Sequence, residues 1–252
     1  YNWSGPNAFS TSTTSAATNL TVSPSSSGEY SVSVTYTGTG CTSSMAKTDP
    51  DVTVNALPTL TSVTAANDVV CIGTDIALTA NGASGTGSVV SYNWSGPAAY
   101  STSTAAATVN RATTTTAHSG AYSVTVTYAG TGCTSALVQK SVTVNSIPTV
   151  SGVTVASGIV CVGGDIALTA GSTAGTGSLV SYNWSGPSSY STTSTASSIN
   201  RTTGAVADGG TYSLTVTYTG AGCTSTPATV PVTVNAVPTL GSITTSSTTL
   251  CT

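Results

Sequence analysis

Apolar and polar residues alternate along most of this chain. Tyr122, Val124, Val126 and Tyr128 share one parity, and Ser123, Thr125 and Thr127 take the other. A period of two places these sets on opposite faces of a strand with one face buried. Ile76, Leu78 and Ala80 repeat the pattern, with Ala77 and Thr79 outward. Val90, Tyr92 and Trp94 form a third inward row, which turns Asn93 outward, and Val142 with Val144 forms a fourth. Gly- and Ser-rich turns, as at 81–88 and 129–132, separate the rows. No stretch holds a helical period over ten residues, so the pattern predicts an all-β chain of short strands.

The rows recur. "YNWSGP" stands at Tyr1, Tyr92 and Tyr182, and places Trp3, Trp94 and Trp184 in one register. Tyr30, Tyr122 and Tyr212 form a second, in "SGEYSVSVTY", "SGAYSVTVTY" and "GGTYSLTVTY". Asn55, Asn145 and Asn235 close a third. The six cysteines split into an early family (Cys71, Cys161, Cys251) and a late one, Cys41, Cys133 and Cys223, in "GTGCTS"-like segments. Such periodicity defines repeats of about 90 residues. The expected organisation is 1–57 as the C-terminal part of a first repeat, 58–147 and 148–237 as complete repeats, and 238–252 as the first strand of a further one. The ends lack the 20 residues between Cys71 and Tyr92 in the intact copy, apart from Thr252. That fits a window in a long array, and equally a subunit whose end completes its neighbour's first repeat.

Seven or so strands in 90 residues suggest a two-sheet sandwich. A Trp followed about 28 residues later by Gly-x-Tyr resembles an immunoglobulin-like domain. Ser119–Tyr122 matches that fold's tyrosine corner, which implies that Tyr122 bonds back to nearby backbone. Ala80 and Val124 occupy the usual inter-sheet cysteine positions. The segments "CIGTDIALTA", "YNWSGPAAYSTS" and "SGAYSVTVTYAGTGCTS" are similar to tandem immunoglobulin-like repeats of large secreted and surface proteins of Bacteroidota. The expected core is therefore Trp3, Trp94, Trp184, Tyr30, Tyr122 and Tyr212 in tandem β-sandwiches.

The cysteines have no Cys-x-x-Cys spacing, and His118 is the only histidine, so disulfides are expected rather than metal. The simplest pairing lies within repeats: Cys71 with Cys133 and Cys161 with Cys223, each 62 positions apart. Such a closure contributes about 4 kcal/mol by chain entropy. Bonds between consecutive repeats are the rival. Cys41 and Cys251 are then the inter-subunit pair, unless truncation alone leaves them over.

Charge changes the picture by its scarcity. Only 4% of residues are charged, and Ser and Thr make up about 37% of the 252. Four Lys and Arg cannot neutralise a phosphate backbone or anionic lipid, so neither nucleic acid nor a membrane surface is an expected partner. No apolar run reaches the 18 residues of a spanning helix. Val, Ile, Thr and placed aromatics argue against disorder. A net charge of -3 leaves solubility to sugars on the hydroxyls or to ordered assembly.

Candidate chemistry is sparse. Asp75 and Asp165 recur without a partner carboxylate and read as strand-start residues. Asp49 and Asp51 flank Pro50 as a weak cation candidate. His118 occurs in one repeat, with Ser26 and Ala207 near its equivalents. Arg111 and Arg201 make either surface contacts or repeat-to-repeat contacts. Phe9, Tyr100 and Tyr190 either pack or stack on a sugar. Asn2, Asn93 and Asn183, in Asn-Trp-Ser, and Asn19 and Asn200 are N-glycosylation-type positions; polar strand positions are the plainer reading. Thr113–Thr116 and Ser10–Ser15 offer hydroxyls for other sugars.

No catalytic residue and no cofactor is expected. The sequence points to a non-enzymatic structural subunit of an extracellular or cell-surface fibre or array. Its expected partner is itself, as a homopolymer joined by strand complementation or as further repeats of the same chain, with covalent glycans. An adhesin stalk or glycan-binding module, and a spacer within a secreted enzyme, are the alternatives.

Overall fold

A computed structural model describes residues 1–129, 132–244 and 246. Two compact units divide the chain. The first comprises Tyr1–Asp68, Ile76–Arg111 and Ala117–Val142; the second comprises Val69–Asp75, Ala112–Thr116 and the chain from Thr143 onward.

The first unit opens with β1 (Asn2–Gly5), β2 (Phe9–Ser12), β3 (Ser31–Ser33) and β4 (Ala46–Lys47), one antiparallel sheet in the order β2-β1-β3-β4. Trp3, Tyr30 and Val32 on it are half-buried. There follow β5 (Ser62–Ala65), β6 (Val69–Cys71), β7 (Ile76–Asn81), β8 (Val89–Gly96), β9 (Tyr100–Thr104), β10 (Thr108–Arg111), β11 (Gly120–Tyr128) and β12 (Val138–Asn145). Strands β10-β7-β5 form one layer, and β12-β11-β8-β9 lie in the other. Ile76, Leu78, Trp94, Tyr122, Val124 and Val126 are almost fully buried. The predicted inward rows at 76–80, 122–128 and 142–144 are buried as drawn.

The row at Val90 is corrected. Val90 is 50% exposed, and its counterpart Val180 is 46% exposed. Tyr128 pairs with Val89 while Thr127 pairs with Ser91, so a β-bulge inserts Val90 as an extra residue. The bulge flips parity, and Val89 turns inward instead.

The second unit carries a complete sandwich. Its strands are β13 (Thr149–Val150), β14 (Val153–Val155), β15 (Ile159–Cys161), β16 (Asp165–Ala170), β17 (Thr173–Ala174), β18 (Leu179–Gly186), β19 (Tyr190–Ser194), β20 (Ser198–Thr202), β21 (Gly210–Tyr218) and β22 (Ala228–Asn235). One sheet runs β14-β16-β20; the other runs β15-β22-β21-β18-β19. The edge strand changes sheets: β14 pairs antiparallel with β16, then β15 pairs parallel with β22. Between the layers sit Ile166, Leu168, Trp184, Tyr212, Leu214, Val216, Val232 and Val234. In the same unit β6 pairs parallel with the end of β12, Cys71 opposite Asn145.

Candidate functional site: a tyrosine clamp and a cysteine joint

The repeated Trp and Tyr segments interlock. An added Cβ on Gly96 would come within 2.6 Å of the Tyr122 ring, and one on Gly186 within 2.6 Å of Tyr212. Only glycine leaves that space. Pro97 packs in turn against Gly120, whose φ of +138° also favours glycine. "SGP" and "SGAY" are therefore two halves of one contact. The Tyr122 hydroxyl donates to the His118 carbonyl at 2.8 Å, Tyr30 to Ser26 at 2.7 Å, and Tyr212 to Asp208 at 2.9 Å. His118 is thus the counterpart of Asp208 and Ser26, rather than of Ala207.

Arg111 belongs to neither surface nor repeat interface. It is 8% exposed. Its guanidinium carbon lies 4.6 Å from the Tyr100 ring centre and 5.4 Å from that of Tyr122. Nη1 donates to the Pro97 carbonyl at 2.7 Å and to the Tyr122 hydroxyl at 2.9 Å. The side chain ties β10 in one layer to β9 and β11 in the other. Arg201 repeats this with Pro187, Tyr190 and Tyr212, and adds an ion pair to Asp208. The Asp208 carboxyl is held below the usual carboxylate range by the Gly204 amide, the Ser188 hydroxyl, the Ala205 amide and Arg201. Burial pushes the Tyr122 and Tyr212 hydroxyls up, against the pull of the arginines. Tyr100 and Tyr190 pack edge-on against Tyr122 and Tyr212, and Phe9 packs tilted against Tyr30. The packing alternative, rather than a sugar platform, describes these rings.

The Asn of each Asn-Trp-Ser segment sits in a cross-strand network. Asn93 Nδ2 donates to Thr127 Oγ1 at 3.0 Å, and its Oδ1 accepts from Ser103 at 2.8 Å. Asn183 donates to Thr217, and Asn2 to Thr35, each at 3.0 Å. Asn19 and Asn200 are exposed.

The cysteines are arranged differently from the expectation. Cys71 is bonded to Cys223, 152 residues on, and not to Cys133. Cys161 is an exposed free thiol, so it does not pair with Cys223. The early cysteine of one repeat thus bonds the late cysteine of the next, the rival topology. Cys41 is free and exposed; its expected partner Cys251 lies outside the described residues.

The surroundings explain the choice. Cys71 ends β6, where the Ile72 amide donates to Asn145 O at 2.9 Å. Buried Thr113 donates through Oγ1 to the Cys71 and Thr74 carbonyls and accepts from the Gly73 amide, which fixes the loop. Gly220, in the loop carrying Cys223, approaches so closely that a Cβ there would lie 2.6 Å from Asn145 Nδ2. Thr113, expected as an exposed hydroxyl for sugars, is instead buried, 3% exposed, because its Oγ1 is taken up by this loop; the structural role it shares with Thr203 went unread, and its signal is a Thr two residues after each Arg.

Among the described residues no three His, Cys, Asp or Glu side chains gather where they could hold a metal. Asp49 and Asp51 are exposed without a third carboxylate, and Asp165 accepts from Thr202 Oγ1 at 2.6 Å at its strand start. No helix among the described residues is long and apolar enough to cross a membrane.

No protein-family model matches the chain, and no curated protein does. Solved structures do. The N-terminal eight Ig domains of Down Syndrome Cell Adhesion Molecule share 15% identity at a TM-score of 0.50, over 85% of this chain and 28% of that one. An I-band fragment, I67–I69, of titin shares 13% at 0.47, over 94% and 87%. Sidekick-1 immunoglobulin domains 1–4 share 11% at 0.37, over 87% and 60%. This chain therefore spans about a quarter of the first and three-fifths of the last. With the sheet order above, the first likeness establishes the fold as tandem immunoglobulin-like β-sandwich repeats.

Proposed function

We propose that the chain is a non-enzymatic structural subunit of an extracellular fibre or surface array, of the kind built by Bacteroidota from immunoglobulin-like repeats. The observation that supports this most is the disulfide from Cys71 to Cys223. It bonds successive repeats instead of sealing each one, so a pull on the chain passes through sulfur and bypasses the residues between. Tension-bearing is the property such a link improves. An oxidising compartment outside the cell keeps it formed.

Self-association is the assembly route. The first repeat's sheet carries an open groove lined by Trp3, Phe9, Leu20, Val22, Tyr30 and Val52, which suits a complementing strand from a second copy. Glycans, where attached, fall on exposed Asn19, Asn200 and exposed hydroxyls such as Thr114–Thr116 and Ser10; Asn2, Asn93 and Asn183 each donate one amide N–H within the sheet. Negative-stain electron microscopy of native material tests the reading. Fibres or ordered arrays are expected, and dispersed single molecules at high concentration would contradict it. Intact mass above the 24.5 kDa of the chain reports the sugar.

A further inference from the structure

Both halves of the Cys71–Cys223 joint recur, the early half at Cys161 and the late half at Cys41 and Cys133. The Val162 amide donates to Asn235 O at 2.9 Å, as Ile72 does to Asn145. Thr203 Oγ1 donates to the Cys161 and Gly164 carbonyls, as Thr113 does to Cys71 and Thr74. The backbone that presents the sulfur is therefore already fixed. Exposure differs sharply between the copies. In the bonded copy Asn145 is buried and Val69 half-buried, whereas their counterparts Asn235 and Ile159 are exposed, Ile159 at 64%, and Cys161 is open.

The late half recurs at Cys41. The Tyr36 amide donates to Cys41 O at 3.0 Å, as Tyr218 does to Cys223 O at 3.0 Å. Ser43 Oγ accepts from the Val34 amide at 3.0 Å, as Ser225 does from Val216. Gly38 holds the place of Gly220, the residue whose missing side chain admits the partner asparagine, and nothing lies within 4 Å of it. Cys223 is 3% exposed in its bond, and Cys41 is exposed.

We infer that the surface formed by Ile159, Cys161 and Asn235 receives the Tyr36–Cys41 loop of a second copy of this chain, and that Cys161 and that copy's Cys41 form a disulfide. The inference rests on the self-assembling fibre proposed above and names its joint. It replaces the Cys41–Cys251 link, because the bonded pair sets the register as early cysteine to the late cysteine one repeat further on. The bond forms by exchange with a low-molecular-weight disulfide such as oxidised glutathione. The Cys161 thiolate attacks one of its sulfurs and releases one equivalent of reduced thiol. The second copy's Cys41 thiolate then attacks the mixed disulfide at the Cys161 sulfur and releases the other. Two thiols are oxidised, one disulfide is reduced, and the two protons pass to the released thiolates.

The full chain incubated with oxidised glutathione, blocked with a thiol reagent and digested with trypsin provides the test. Cleavage after Lys47, Arg111, Lys140 and Arg201 puts Cys41 in peptide 1–47 and Cys161 in 141–201. The expected product is 1–47 linked to 141–201, with a reductant-sensitive ladder on a gel. In a Cys251→Ser background, adding Cys161→Ser or Cys41→Ser should reduce the ladder at least tenfold, and mixing those two variants should restore dimer and nothing longer. A link from 1–47 to 202–252, or from 141–201 to itself, would overturn the joint. Fibres imaged without the 1–47/141–201 link would overturn the joint and leave the fibre standing. The link without fibres would do the reverse.

Discussion

Tyr122 does three jobs with one side chain: its ring fills the space left by Gly96, its hydroxyl holds the corner, and it accepts from Arg111. Tyr122→Phe keeps the ring and strips both hydrogen bonds. The His118 carbonyl and one Arg111 donation lose their partner, so the variant should lose about 1–3 kcal/mol, read from urea midpoints. Asp208 makes a pH-dependent contribution. Its folded carboxyl titrates below the ordinary value, so its stabilisation is present above about pH 4 and lost as pH falls through the folded value. The stability gap between wild type and Asp208→Asn should therefore be open at neutral pH and close in acid. An unchanged gap would mean that Asp208 does not titrate as described. The tyrosine corner was legible through the resemblance to immunoglobulin-like domains that Gly-x-Tyr after a strand-placed Trp carries. The arginine clamp was not. A lone Arg in a Thr-rich stretch reads as surface, and only the paired ring faces and the Pro97 carbonyl make its burial favourable.

At the scale of elements, period-two alternation revealed the strands because half-buried strands must carry it. It failed at Val89–Val90, where two adjacent valines give no parity cue and the bulge decides which is inside. The hairpins from β1 to β2, β8 to β9 and β18 to β19 were also unread. Their central residues, Asn7 and Ala8, Ala98 and Ala99, Ser188 and Ser189, all have positive φ between 51° and 56°. Each three-residue loop between paired strand ends thus carries two consecutive left-handed residues, the turn that strand twist prefers, without the Asn-Gly that announces it. Replacing Ala98 by Asn and Ala99 by Gly should relieve that conformation and raise stability by about 1 kcal/mol. A drop instead, measured by urea denaturation, would place an unrecognised contact at the alanine methyls.

For the whole molecule, the two cysteine families were plain in the sequence and their pairing was not. Equal spacings of 62 made closure within a repeat look simplest. What decides is three-dimensional: Thr113 and Asn145 present Cys71 at a strand end, and the Gly220 loop of the following repeat comes to it. Pulling a single chain by its ends tests the mechanical account most directly. With Cys71–Cys223 intact, the 152-position span should stay locked, and no full-repeat extension should be seen. After reduction the two complete repeats should open separately, each adding about 250–300 Å of contour. Identical extension traces in the oxidised and reduced chain would contradict a covalent bypass across successive repeats.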